Sequence, residues 1–167
     1  MALDVWSAKS PEIERLKRAP ERSFRLGAHL VTMEQRWKPG GDGGTMLGHG
    51  ASVFDAAFVL ADFLFRANGE CGGDAIPGYP AVAGKRVIEL GTGPGLGAVA
   101  CGLLNAAEVV ATDGDAELLE LTKVNLVRNL SADRVEEQQS ARARCQCRTA
   151  QLMWGDEAKA RELCAAM

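Results

Sequence analysis

Apolar positions fall into two separate patches in the first half of the chain. From Lys85 onward they recur in blocks that switch between short runs and helical spacing. Ser10-Pro11-Glu12 sets a capping hydroxyl, a proline and an acid in the order that starts a helix, which ends before Pro20. Between Phe24 and Trp37, the run Leu30, Val31, Thr32, Met33 favours extended structure and Gly27 allows a bend, so one or two strands are expected. Pro39 to Gly50 has the glycine-dense composition of a loop. Ser52 then opens a strongly apolar helix with Phe54, Ala57, Phe58, Ala61, Leu64 and Phe65 on one face. Asn68 to Gly84 is a second loop, rich in glycine and proline.

The second half alternates. Val87–Leu90 is a short apolar strand, Gly91–Gly97 a glycine-rich turn, and Ala98–Ala106 a helix of small and apolar residues. Val109–Thr112 is a second strand ending at Asp113. Ala116–Leu130 is an amphipathic helix with Leu118, Leu119, Leu121, Val124, Leu126 and Val127 toward the sheet. Ser131–Arg144 is a polar connection, Cys145–Trp154 a third strand and Asp156–Ala166 a final helix. Strand and helix in this order predict an α/β fold with a parallel sheet and right-handed crossovers. The division is residues 1–84, an N-terminal β/α extension, and 85–167, a partial Rossmann-like domain.

Composition narrows the classes. The 167 residues carry a net charge of −3, too small to steer the chain toward nucleic acid, so no nucleic-acid partner is expected. No apolar run reaches the ~18 residues of a membrane span and Met1–Ser10 lacks a secretory pattern. Five irregularly spaced cysteines suggest free thiols in a reducing compartment, hence a cytosolic protein, with the nucleus also open. Cys145-Gln146-Cys147 has no matching pair and only His29 and His49 to help it. Alternation on a strand explains it without a metal, and none is expected.

Glu89-Leu90-Gly91-Thr92-Gly93-Pro94-Gly95-Leu96-Gly97 sits between a strand and a helix, where glycines allow a sharp turn and close approach to a ligand. Asp113, twenty residues past Gly93 and at the next strand's end, can accept from both hydroxyls of a ribose. Gly93-Pro94-Gly95-Leu96-Gly97-Ala98 also fits a loose dinucleotide pattern, which keeps an NAD-type oxidoreductase as an alternative. Against it, Pro94 removes a donor where a pyrophosphate wants one, and Glu89 suits a cationic ligand end. S-adenosylmethionine (SAM), with a sulfonium, an ammonium and no phosphate, fits better. A turn that only packs strand on helix, or a non-catalytic binding module that retains it, is the remaining alternative. Asp115 reads as a helix cap.

Several stretches in order resemble the seven-strand, non-SET protein-lysine methyltransferases related to methyltransferase-like protein 21. They are Val53-Phe54-Asp55-Ala56-Ala57 with Val59-Leu60; Val87 to Leu96; Ala111-Thr112-Asp113 with Leu118, Leu121, Asn125 and Asn129; and Leu152-Met153-Trp154-Gly155. The resemblance implies a Rossmann-like class I SAM-dependent methyltransferase fold and methyl transfer to a lysine side chain of a protein substrate. It implies a site in which Gly91, Thr92 and Gly93 line the methionine part of SAM. Asp113 would hold the ribose, Trp154 contact the adenine region, Phe54 wall the pocket and Glu89 reach the ammonium end. It names no catalytic residue, and Asp55 reads as a helix-start cap or ion pair. Phe54 stands where the family has tryptophan and Met153 where it has aspartate, two departures expected to weaken SAM binding without abolishing it. At ~30 residues per strand–helix–strand unit, the 82 residues from Arg86 to Met167 hold about three of the seven strands. The expectation is a C-terminally truncated methyltransferase whose first strand presents an open edge.

Overall fold

A computed structural model describes residues 11–37, 50–131 and 145–167. The loop expected over 39–50 (apart from Gly50), the capping Ser10 and most of the polar connection over 131–144 lie outside them. Helix α1 (Pro11–Arg18) is followed by strands β1 (Glu21–Leu26) and β2 (His29–Glu34), helix α2 (Asp55–Ala67) and strand β3 (Arg86–Leu90). Then come α3 (Leu96–Leu103), β4 (Glu108–Asp113), α4 (Ala116–Leu130), β5 (Gln146–Gln151) and α5 (Glu157–Ala165).

β1 and β2 form an antiparallel hairpin in which Leu26 faces His29, leaving Gly27 and Ala28 as the turn. Gly27 has φ +54°, and a Cβ there would run into the Glu70 carbonyl oxygen, so this position requires glycine. The main sheet is parallel, in the order β3-β4-β5, with Val87 opposite Val109 and Val110 opposite Arg148. This is the α/β arrangement expected. β4 is central and fully buried through Val109, Val110 and Ala111, whereas β3 has a strand on one side only among the described residues, and its Leu90 is 56% exposed.

One apolar cluster joins the two halves: Phe24, Leu26, Val31 and Met33 of the hairpin and Ala61 and Phe65 of α2 pack with Leu96, Val99, Val109 and Leu126. β5 ends at Gln151 rather than Trp154 and α3 at Leu103 rather than Ala106, and two differences bear on packing. Ser52 does not start α2; its hydroxyl donates to the Lys17 carbonyl at 2.7 Å, and Phe54 is the residue before the first turn. On α4, Val124 and Val127 point outward (Val127 is 70% exposed), while Thr122, Asn125 and Asn129 are buried.

The asparagines are buried because they replace a strand. The Asn129 amide accepts from Thr32 N–H and donates to the Thr32 carbonyl, both at 3.0 Å. The Asn125 amide accepts from Glu34 N–H at 2.7 Å and donates to the Glu34 carbonyl at 3.0 Å. Each side chain offers β2 the donor and acceptor that a neighbouring strand's backbone would, and buried polar groups demand such partners. Asp115 caps α4 by accepting from Glu117 N–H at 2.8 Å, as its position in the sequence suggests. Asp55 is held by Arg22 at 3.1 Å and Lys17 at 3.7 Å, an ion pair between the hairpin, α1 and α2. No helix among the described residues is long and apolar enough to cross a membrane.

Candidate functional site

The carboxyl ends of β3, β4 and β5 meet at one place, where a parallel sheet delivers side chains and backbone to a ligand. After β3 the chain turns through Gly91, Gly93 and Gly95, at φ +66°, +52° and +94°. All three occupy backbone space that side chains disfavour, which is why the turn is written in glycine. Close quarters add to this: a Cβ at Gly93 would stand 3.0 Å from the Gly50 carbonyl oxygen, and one at Gly95 would stand 2.8 Å from Thr122 Cγ2.

Polar side chains fix the turn from both sides. Thr122 donates to the Gly93 carbonyl at 2.6 Å and Asn125 to the Pro94 carbonyl at 2.9 Å. The Asp113 carboxylate accepts from Gly93 N–H at 3.0 Å and from Asp115 N–H at 3.2 Å, tying the ends of β3 and β4 together. Thr92 is buried; its N–H donates to the Thr112 carbonyl at 2.8 Å and its hydroxyl to Glu89 at 2.5 Å.

Glu89 lies beneath the turn. One oxygen accepts from both the Thr92 hydroxyl and Ala98 N–H, the latter at 2.9 Å in the first turn of α3. A Cβ on Gly97 would overlap its other oxygen. The carboxylate thus occupies the N-terminus of α3, and its charge suits the positive end of the helix dipole. Burial raises its pKa above the ordinary 4.5; the bonds from Thr92 and Ala98 oppose that rise, and the charge of Asp113 adds to it. A raised value means the folded state holds this proton more tightly than the unfolded chain does. The resulting stability is full below pH 4.5 and is lost as pH climbs through the raised value. Glu89→Gln, which keeps an acceptor for both donors, is expected to flatten that decline. Urea midpoints of both proteins between pH 4.5 and 8 would show it, and parallel curves would rule it out.

In front of the turn opens a cavity of about 230 Å³. Leu90 and Gly91 line it from β3, Thr112, Asp113 and Gly114 from β4, Leu152 to Gly155 from the end of β5, and Asp156, Glu157 and Ala160 from the start of α5. Trp154 is 81% exposed and its ring edge lies against Gly91, 3.8 Å from where a Cβ would stand. Met153 packs over Gly114, its sulfur 3.0 Å from the corresponding Cβ position.

Of the residues singled out in the sequence, Gly91, Asp113 and Trp154 line this cavity together. Thr92, Gly93 and Glu89 build the turn behind it. Phe54 stands apart, half-exposed before α2 and outside the cavity lining. Sequence reasoning did not single out Gly114, Leu152 or the start of α5 as lining residues, nor Thr122 as a support of the turn. Thr122 and Asn125 carried a usable signal, polar residues at helical spacing on an otherwise apolar helix face.

Comparisons with known proteins show which family the chain belongs to. A protein family described as lysine methyltransferase matches residues 41–165. Protein N-lysine methyltransferase METTL21A of Danio rerio is 32% identical over 146 residues, covering 87% of this chain and 53% of that protein. Protein-lysine N-methyltransferase EFM3 of Chaetomium thermophilum is 34% identical over 102 residues, covering 60% of this chain and 26% of that protein. Among solved structures, a Streptococcus mutans protein described as a SAM-dependent methyltransferase aligns over 89% of this chain and 30% of its own, with 16% identity and a TM-score of 0.47. The chain thus spans about half, or less, of the length of these relatives. The family match covers three quarters of the sequence and includes every strand of the parallel sheet, and on that basis the chain belongs to the lysine methyltransferase family.

Proposed function

We propose that this chain carries the cofactor-binding part of a SAM-dependent protein-lysine methyltransferase, and that its substrate is a lysine side chain of another protein. SAM is the methyl donor that membership of the family implies. One observation supports its fit to these residues above others: the N-terminus of α3 is already capped by the Glu89 carboxylate, with Asp113 close by. A pyrophosphate needs that helix end free and meets repulsion from both acids. A ligand with an ammonium and a sulfonium meets attraction, so the site favours SAM over a dinucleotide. The comparisons do not favour the dinucleotide reading either.

In this reading the turn at Gly91, Thr92 and Gly93 would line the methionine part of SAM and the Asp113 carboxylate would hold the ribose, with Trp154 over the adenine region. A cavity of about 230 Å³ is smaller than the ~300–1,000 Å³ of sites that enclose a whole drug-sized ligand, so it suits part of such a molecule. When bound, SAM would supply a methyl group on positively charged sulfur, open to in-line attack by a neutral amine, with the neutral thioether leaving and the amine's proton passing to solvent. The cavity-lining residues would contribute orientation, with Trp154 and Met153 flanking the ligand. We place the protein in the cytosol, where its five free thiols stay reduced.

Calorimetric titration with SAM and with NAD tests the assignment; binding of NAD alone would overturn it. Asp113→Ala is expected to weaken SAM binding by ~1–3 kcal/mol, the value of a hydrogen bond to a charged acceptor. Unchanged affinity would remove the ribose role. Transfer of a radiolabelled methyl group from SAM to lysine residues of lysate proteins would test the activity.

A further inference from the structure

The cysteines at the start of β5 take no part in the site described above. Cys145 and Cys147 are two apart along an extended chain, so both project from one face of the sheet. Their sulfurs are 3.4 Å apart, close enough for one thiol to donate to the other. Both are half-buried, so solvent reaches them, and both pack against the apolar cluster that contains Cys101. Among the described residues no group of three or more His, Cys, Asp or Glu is placed to hold a metal, so the pair is not part of a closed metal site.

We propose that Cys145 and Cys147 form a modification site, a dithiol that a hydroperoxide closes to a disulfide within the strand. Either thiol can donate across this contact; donated by Cys147, it favours the thiolate of Cys145 and lowers its pKa, while the same bond, with burial, raises that of Cys147. We take Cys145, which lies ahead of the first paired residue of β5, as the attacking sulfur. Its thiolate takes the near oxygen of hydrogen peroxide as the O–O bond breaks, and the departing hydroxide becomes water with the proton released by that thiol. The product is a sulfenic acid on Cys145. The Cys147 sulfur then attacks Cys145, displacing hydroxide, which takes the Cys147 proton and leaves as a second water. Two thiols and one peroxide thus yield one disulfide and two waters. Cys101 does not compete: it is buried, and its pKa is pushed up to about 12.

Geometry makes the bridge reversible. Cα atoms two apart on a strand lie about 6.6 Å from each other, near the upper limit of ~6.8 Å for disulfides, and the Cβ atoms must close to about 3.8 Å. Cys145 precedes the first paired residue, so it can leave the extended line, at the expense of the bond from Gln146 N–H to the Ala107 carbonyl at 3.1 Å. Strained bridges of this kind are readily reduced.

Trypsin cuts after Arg144 and Arg148, isolating Cys145–Arg148 as one peptide. The folded protein would be treated with hydrogen peroxide, its remaining thiols blocked with iodoacetamide, and its peptides weighed. The expected product is this peptide two hydrogens lighter and unalkylated, restored by dithiothreitol. With Cys147→Ser, Cys145 is expected instead to stop at sulfenic or sulfinic acid. Alkylation of both sulfurs in the oxidised wild type, or a bridge from Cys145 to Cys101, would overturn the proposal.

Discussion

Gly95→Ala is expected to lower stability by about 2–5 kcal/mol and to abolish binding at the turn with it. A side chain forced into the left-handed region costs ~1–2 kcal/mol, and Gly95 has φ +94°. Overpacking a well-filled interior adds ~1–3 kcal/mol, because the new Cβ would stand 2.8 Å from Thr122 Cγ2, on a fully buried, β-branched residue that cannot swing away. Gly84 provides the control: it too has positive φ, at +72°, but nothing lies within 4 Å of its Cβ position. Gly84→Ala should therefore cost only the backbone part. Adding Thr122→Ser to Gly95→Ala removes the clashing methyl, keeps the hydroxyl bonded to Gly93, and should recover part of the loss. Urea denaturation of the four proteins checks this, and equal losses for Gly95→Ala and Gly84→Ala would show that Thr122 imposes no steric limit.

Replacing Asn125 by leucine is expected to cost about 3–5 kcal/mol despite the similar size. Three backbone groups lose their partner at once: Glu34 N–H, the Glu34 carbonyl and the Pro94 carbonyl. Each polar group left buried without a partner costs ~1–3 kcal/mol, and Asn125 itself is fully buried. The hairpin and the glycine turn share this one side chain, so SAM affinity should fall along with the denaturation midpoint. A midpoint shift worth under ~1 kcal/mol would mean that water takes over these bonds and that the clamp is not what fixes the turn.

Much of the fold was legible. α4 was placed at Ala116–Leu130 to the residue, because Asp115 is a good cap and the leucines keep helical spacing. The β3 and β4 strands fell within a residue of their observed ends, and the hairpin was marked by Gly27. Two failures have a common cause. Val124 and Val127 were assigned to the core because they are apolar, and Asn125 and Asn129 were not, because they are polar. Periodicity weighs hydrophobicity, whereas here the hydrogen-bonding needs of β2 decide which face of α4 turns inward. The helix expected from Ala98 starts at Leu96, since the glycine at 95 can itself carry the left-handed step into the first turn.

The site was legible in part for the same reason. A glycine turn and an acid at successive strand ends are local signals, readable without knowing the packing. The cavity's far wall is not local: Leu152, Met153 and the start of α5 reach it only because β5 pairs in parallel with β4, with Gln151 beside Asp113. Glu89 showed the opposite limit. Its position beside the glycines suggested a ligand contact, yet its observed partners are Thr92 and Ala98, and nothing in the residue order distinguishes a carboxylate that faces forward from one that folds under.

Asn125 and Asn129 are four residues apart on a helix, an advance of about 6 Å, and they grip Thr32 and Glu34, two residues apart on a strand and separated by about 6.6 Å. The two spacings nearly coincide, so the joint works like a two-pin connector with only one seating. Sliding the hairpin by one residue would present the wrong edge to both amides, and sliding it by two would leave one pin empty. The N-terminal ribbon is thereby indexed to the parallel-sheet half by a pair of side chains, with no sheet shared between them among the described residues.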